Sequence, residues 1–535
     1  MISKVKLILN YRNGYINSSN FFYLLVLLFL CLIFYSSPFL RYPFDAFYHL
    51  TEIQKYYGIL EVPSDRKLWH FFWARVVDLF NISEFDLFFI AKIIYVVQTC
   101  LSFFIIFYFS HVVIRNIFKE IDVVKLKYLS LWSSVIWFTI FATHSMGQHQ
   151  VWTLWYSINY QITLLLFWYI LTLCIILFLE KNSKIKKTVY IFLIVVISIL
   201  IIKIHAMEFL YFLMYLFIFS LVYYKKLLEF LKKYSIQFFL LIVFGVVFFN
   251  NFISSSEIMK SQILIYIRDN SLSPLYSKII ENGQILVNGF NRSFYSVNEL
   301  MYVIGFFSVL VFIHIIRNRV QKKEVIVNIK FFIFISLTSL FVIIPLTEVS
   351  SGIFSLITSL GVVNRLYYSS SLFILLPVSI YYISYHFKTS SFFFMNLVIV
   401  LTLVCTYLFS KNYNIVNNNY YKNVQSIKKS IQNKSVSFHL SEENIKIIGK
   451  ELKILNSEYS KYETPYRKIR FYARVDIAFV LKYIYGEDVY WEGRKSIPDY
   501  IRMYNNHISD KNVKTRTVPV LFNIPEEFPK YIPYK

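Results

Sequence analysis

Four groups of side chains have types and spacings that could do chemistry. The first is Asp45, His49 and Glu52, in the stretch Arg41-Tyr-Pro-Phe-Asp45-Ala-Phe-Tyr-His49-Leu-Thr-Glu52. Pro43 can start a helix, and the i, i+4, i+7 spacing then puts the three on one face. That face begins where the apolar block Phe21–Leu40 ends. An acid held at such a depth can take a proton from an alcohol while the reacting partner keeps its lipid tail in a bilayer. The plainer reading, solvated residues on a helix beside a membrane, satisfies the same spacing.

The second group is Lys203, His205 and Glu208, at a break between two apolar blocks. Ionisable residues at membrane depth are costly and tend to be functional, whereas in the headgroup zone they cost little, and both placements fit. The third is His144 and His149 with Trp152 and Trp155. Its tryptophans suit an interfacial belt, and two histidines do not make a metal site. The fourth is Val363-Asn364-Arg365-Leu-Tyr-Tyr368. A guanidinium there can grip a phosphate through two hydrogen bonds or snorkel to the interface.

Other chemistries lack their residues. Walker A, dinucleotide-binding and Gly-x-Ser-x-Gly patterns are all missing, and only Gly 12 occur in the chain, too few for phosphate-cradling loops. Cys31, Cys100, Cys174 and Cys405 all lie in apolar blocks and form neither a disulfide framework nor a CxxC metal site. No cofactor or metal is expected.

The elements that must position these groups are transmembrane helices. Of 535 residues 57% are hydrophobic and 16% charged, against about 25% charged in a soluble domain. The apolar residues run in blocks long enough to cross about 30 Å of hydrocarbon. The chain reads as an all-α polytopic membrane protein with about eleven spans. These are placed near 21–40, 87–114, 128–145, 161–180, 189–204, 207–224, 236–252, 300–316, 331–347, 367–385 and 391–410. The fifth and sixth, both short, form a tight hairpin around His205-Ala206.

Basic segments recur after every second span: the N-terminus, Arg115–Lys127, Lys181–Lys187, Lys225–Lys233, Arg317–Lys330 and His386–Lys388. Positive residues mark the cytoplasmic side. Residues 1–20 are therefore expected inside, and 21–410 form the transmembrane domain of a protein of the cytoplasmic (inner) membrane. The outer loops are 41–86, 146–160, 253–299 and 348–366, with the 205–206 turn. Residues 411–535, more charged and with short apolar runs, read as a small extracytoplasmic α/β domain. The net charge of +24 is spent largely on orientation, so membrane lipids and not nucleic acid are the expected partners.

This layout resembles the C-type (GT-C) membrane glycosyltransferases. Phe44-Asp45-Ala-Phe-Tyr-His49-Leu, followed by Gly58, is similar to the Asp-x-x-x-His-Leu pattern of bacterial members. It resembles above all the group labelled 6-pyruvoyl-tetrahydropterin-synthase-related membrane proteins. Ser350-Ser-Gly-Ile-Phe-Ser-Leu followed by Val363-Asn364-Arg365-Leu resembles that group's late loop, and His205 matches a His at a mid-chain outer turn. The resemblance covers roughly residues 20–410 and leaves the tail unmatched. It implies a polyprenyl-phosphate-linked sugar as donor and a catalytic acid just after the first span, which is Asp45. The first outer loop offers Glu52, Glu61 and Asp65 but no Asp-x-Asp pair, which favours a metal-independent branch.

The expected function is transfer of a sugar from that donor to a glycan, lipid or protein acceptor on the outer face. Asp45 would act as base, with His49 and Glu52 beside it. Arg365 with Lys203, His205 and Glu208 would bind substrate. Two alternatives stay open. A polysaccharide (O-antigen) polymerase or ligase would rely on loop arginines such as Arg268 and Arg292. A lipid-linked-sugar flippase or transporter would carry polar residues near the bilayer midplane.

Overall fold

The computed structural model describes residues 52–53, 56–62, 68–80, 87–118, 120–137, 159–180, 183–205, 207–233, 276–287, 308–318, 327–342, 347–357, 369–386, 442–462, 468–473, 489–490 and 517–521, with single positions such as Val363 and Leu366. Asp45, His49, Arg365, Asp65, His144, His149, Trp152, Trp155, Arg268 and Arg292 lie outside them, as do the expected spans 21–40, 236–252 and 391–410. The structure is mostly helical. The chain divides into two compact units, one comprising residues 1–30, 99–153 and 162–424, the other 31–98, 154–161 and 425–535.

The helices in chain order are α1 (Leu68–Leu79), α2 (Leu87–Ile117), α3 (Val123–Ile136), α4 (Asn159–Leu179), α5 (Lys184–His205), α6 (Met207–Val222) and α7 (Tyr224–Lys233). Then come α8 (276–287), α9 (Ser308–Asn318), α10 (Ile329–Ser339), α11 (Glu348–Ile357), α12 (Leu372–His386) and α13 (Glu442–Tyr459). Among the described residues two helices, Ile162–Leu179 within α4 and Lys184–His205, are long and apolar enough to cross a membrane by length and composition. They differ in surroundings: 72% of the first window is buried in protein and 22% of the second. The apolar surface of α5 therefore faces outward, through Ile185, Val189 and Phe192. Exposed apolar rows at helical spacing also run along α2 (Val97, Leu101, Phe104, Tyr108) and α6 (Leu213, Phe217, Leu221).

In the first unit, α12 packs on α3 and α10, and α6 packs on α5 and α10. Trp168 and Tyr215, both fully buried, hold an aromatic core together. Phe109 lies 4.6 Å and Phe373 5.4 Å from Trp168, ring centre to ring centre, and Phe341 5.1 Å from Tyr215. Such edge-on and tilted pairs are the favoured aromatic geometries.

Several helix ends depart from the expected spans. α3 starts at Val123 instead of 128, because the Asp122 carboxylate caps it, accepting from the backbone N–H of Val124 and Lys125. α5 starts at Lys184 instead of 189 and spans 22 residues, so it is not short. Lysine is a good helix former, and a basic stretch need not be a loop. The helix expected at 331–347 breaks after Ser339 into a single 3-10 turn, Leu340–Val342. The one expected at 367–385 begins at Leu372, because Ser369, Ser370 and Ser371 turn their hydroxyls onto backbone carbonyls.

Two segments read as loops contain helices that meet. On α8, a Cβ at Gly283 would stand 2.0 Å from the Glu348 carbonyl oxygen; on α11, a Cβ at Gly352 would stand 1.9 Å from that of Ile279. Only glycine permits this crossing. The Asn282 amide donates to Ser355 Oγ beside it, 3.0 Å.

In the second unit, α13 packs with a parallel three-stranded sheet of order β2-β1-β3: β1 is Lys468–Tyr472, β2 Val489–Tyr490 and β3 Thr517–Leu521. Phe471 pairs with Val489 on one side and Val520 on the other. Ile469, Phe471 and Ala473 alternate onto the face that packs against Ile448 and Leu452 of α13.

Candidate functional site

Helix dipoles explain where the charges of the 203–208 group sit. α5 ends with Lys203 and His205 in its last turn, and α6 opens with Glu208 in its first. Cations stabilise a helix carboxyl end and anions an amino end. The helices are thus separate at the break expected near His205, and a carboxyl end and an amino end, of opposite polarity, adjoin there.

His205 Nδ1 lies 2.7 Å from Glu208 Oε2. The Glu208 side chain is fully buried and that of His205 is 23% exposed. When Glu208 is ionised it accepts from Nδ1–H, which leaves Nε2 as the basic nitrogen of the neutral ring. If the ring takes up a proton at Nε2, the carboxylate stabilises the imidazolium. Such a pair can receive and return a proton, or neutralise a phosphate as a cation. Among the described residues no hydrogen-bond donor reaches Glu208 Oε1, although that atom is buried. A buried carboxylate oxygen in that state is costly to the fold. Lys203, in the turn before, is exposed.

Glu208 leads the buried face of α6, which continues through Tyr211, Phe212, Tyr215 and Phe219. The Tyr215 hydroxyl donates to the Ser369 carbonyl, 2.6 Å. Thr338 Oγ1 lies 2.7 Å from Ser371 Oγ, and Ser370 Oγ donates to the Ser339 carbonyl, 2.9 Å. Ser369 Oγ in turn reaches the Leu366 carbonyl, 2.8 Å. Val363 and Leu366, on either side of Arg365, are both buried. Hydrogen bonds thus link Tyr215, on that face of α6, through Ser369 to Leu366. Sequence reasoning missed this network, although Ser369-Ser370-Ser371 interrupting an apolar run was its visible trace.

Of the first group, Glu52 is described and is buried, at 6% exposure. The turn after it is tied to α1. Arg75 donates to the Tyr56 carbonyl and pairs with Asp78 at 2.6 Å, and Asp78 accepts from the Gly58 N–H at 3.2 Å. Gly58 has φ +70, a conformation that glycine adopts freely. Trp69 Nε1 donates to Gln98 Oε1, 2.9 Å, securing the other end of this arrangement.

A second polar cluster joins α9 and α12. His314 Nδ1 lies 3.0 Å from Tyr382 Oη, and the His314 and His386 rings are 4.7 Å apart, centre to centre. Among the described residues there is no group of three or more His, Cys, Asp or Glu side chains that could hold a metal ion. Comparison of the chain with protein-family models, with characterised proteins and with solved structures finds no match.

Proposed function

We propose that the chain is a polytopic glycosyltransferase of the cytoplasmic membrane, acting on its outer face with a polyprenyl-phosphate-linked sugar. The observation that carries the reading is the buried Glu208–His205 pair at the turn between two apolar helices. It joins a carboxylate to an imidazole, groups able to pass a proton or, as imidazolium, to neutralise a phosphate.

The membrane topology gains support from which segments touch. Contacts join inner ends to inner ends: Arg115 pairs with Glu180, Asn328 N–H donates to the Ile117 carbonyl, and His314 packs on His386. α8 and α11, in two loops assigned outside, cross each other. The first outer loop and the tail, both assigned outside, fall in one compact unit. The outward apolar rows on α2, α5 and α6 suit lipid and would be a liability in water.

In the proposed reaction Asp45 takes the proton of the acceptor hydroxyl. The acceptor oxygen bonds to the anomeric carbon while the bond from that carbon to the phosphate oxygen breaks. The polyprenyl phosphate leaves with a negative charge, which Arg365, Lys203 and protonated His205 neutralise. General-base help is worth about 10²–10⁴ in rate.

The test compares surface glycans by mass spectrometry in cells carrying the wild-type protein, a deletion, Asp45→Asn or Glu208→Gln at matched membrane abundance. Loss of the same sugar from all three altered strains supports the reading. If both variants keep a wild-type profile while the deletion is altered, the assigned chemistry is wrong. Loss on Arg268→Ala or Arg292→Ala instead would favour the polymerase or ligase.

A further inference from the structure

α7 is a basic amphipathic helix that takes no part in the site above. It begins one residue after α6, beyond Tyr223. Four of its five apolar residues, 224, 227, 228 and 231, recur at i, i+3, i+4 and i+7, which places them on one face. Lys225, Lys226, Lys232 and Lys233, with the single acid Glu229, occupy the rest, apart from position 230, a Phe at the border of the two faces. Tyr224 and Leu228 are exposed, at 54% and 52%. The Lys225 ammonium stands 6.0 Å from the Tyr224 ring centre.

We propose that α7 lies on the inner leaflet and binds anionic lipid headgroups, its apolar face in the acyl boundary and its lysines on the phosphates. Two observations commit the face to lipid. Leu213, Phe217 and Leu221 form the exposed row of α6, and Tyr224 and Leu228, exposed just past the turn at Tyr223, follow directly on its end, so the apolar face of α7 adjoins the surface that the membrane reading turns towards lipid. Where the row ends, positive charge begins, which complements an anionic surface and places each ammonium at headgroup depth. The inference rests on the membrane reading given above.

The test uses the full chain, with its native cysteines replaced, in nanodiscs of phosphatidylcholine with or without phosphatidylglycerol. An environment-sensitive fluorophore is attached to Leu228→Cys or, as insertion control, to Phe217→Cys, and quenching by doxyl-labelled lipid is measured. The expected result is that phosphatidylglycerol raises quenching at 228. Combining Lys225→Gln, Lys226→Gln, Lys232→Gln and Lys233→Gln lowers that quenching about threefold or more and removes its dependence on the anionic lipid. A probe at 228 that stays in water with either lipid, while 217 is in lipid, overturns the proposal and spares the membrane reading. If 217 is in water too, both fall. Protection at 228 that needs an added cytosolic fraction and not phosphatidylglycerol would make the partner an acidic protein and overturn the proposal.

Discussion

His205 and Glu208 clasp across the turn between α5 and α6, Nδ1 to Oε2 at 2.7 Å, with the carboxylate fully buried and the imidazole partly open. One helix ends and the next begins at this point, so both backbone dipoles favour the charges that meet there. The pair is the most fully described part of the proposed site, and it separates chemistry from folding in a testable way.

Glu208→Gln preserves shape and removes the charge. The expected outcome is a fall in sugar transfer of about 10²–10³, with the protein still inserted at normal abundance. Glu208→Leu, which also strips His205 of its partner, is expected to lower the thermal midpoint in detergent as well. A transfer assay on membranes and a thermal melt of purified protein check the two halves.

Tyr215→Phe deletes the hydroxyl that donates to the Ser369 carbonyl. A buried hydrogen bond of this kind contributes about 1 kcal/mol, and between membrane helices about 0.6 kcal/mol on average. A small drop in stability is expected in a denaturant or thermal titration. If the network also positions the Arg365 segment, transfer falls more than stability does.

Gly283→Ala and Gly352→Ala each force a methyl into a backbone carbonyl. Overpacking of this sort costs about 1–3 kcal/mol. An Asn282→Cys, Ser355→Cys pair is expected to cross-link readily in the otherwise native chain and poorly when either alanine is added, as read on a denaturing gel.

Asp122→Ala uncaps α3. The loss is about 1 kcal/mol, concentrated at the first turn. Hydrogen exchange at the amides of Val124 and Lys125 is expected to speed up several-fold while exchange at the centre of α3 is unchanged.

His386, the last residue of α12, is held below the ordinary histidine range by burial and then by the neighbouring His314. The folded state thus resists a proton that the unfolded chain accepts near pH 6.5. Its contribution to stability is intact above that pH and declines as pH falls through the window below it. A melt series from pH 8 to 5 is expected to show the decline, and His386→Gln to flatten it.

Long apolar blocks made α2, α4, α5 and α6 legible in the sequence, and the helix break at His205 followed from the polar interruption between two of them. Helix ends were less legible because local chemistry overrides hydropathy there. Asp122 captures five more residues for α3, Lys184–Lys187 extend α5, and three serines delay α12. The helices at 276–287 and 348–357 escaped notice because their partners are distant in sequence. The parallel register of Phe471 with Val489 and Val520 is likewise set by contacts that no local pattern encodes. At the site, the ionisable residues announced themselves by interrupting apolar blocks, but the pairing of His205 with Glu208 and the burial of Glu52 are three-dimensional facts.

The crossing of α8 and α11 rests on carbonyl oxygens meeting bare Cα carbons at Gly283 and Gly352. What touches there is mainly backbone, the same whatever residue types surround it. Sequence drift in these two loops is therefore cheap at most positions and prohibitive at two. Distant descendants of this chain can look unrelated through the region and still retain a pair of glycines sixty-nine positions apart, 283 and 352 here.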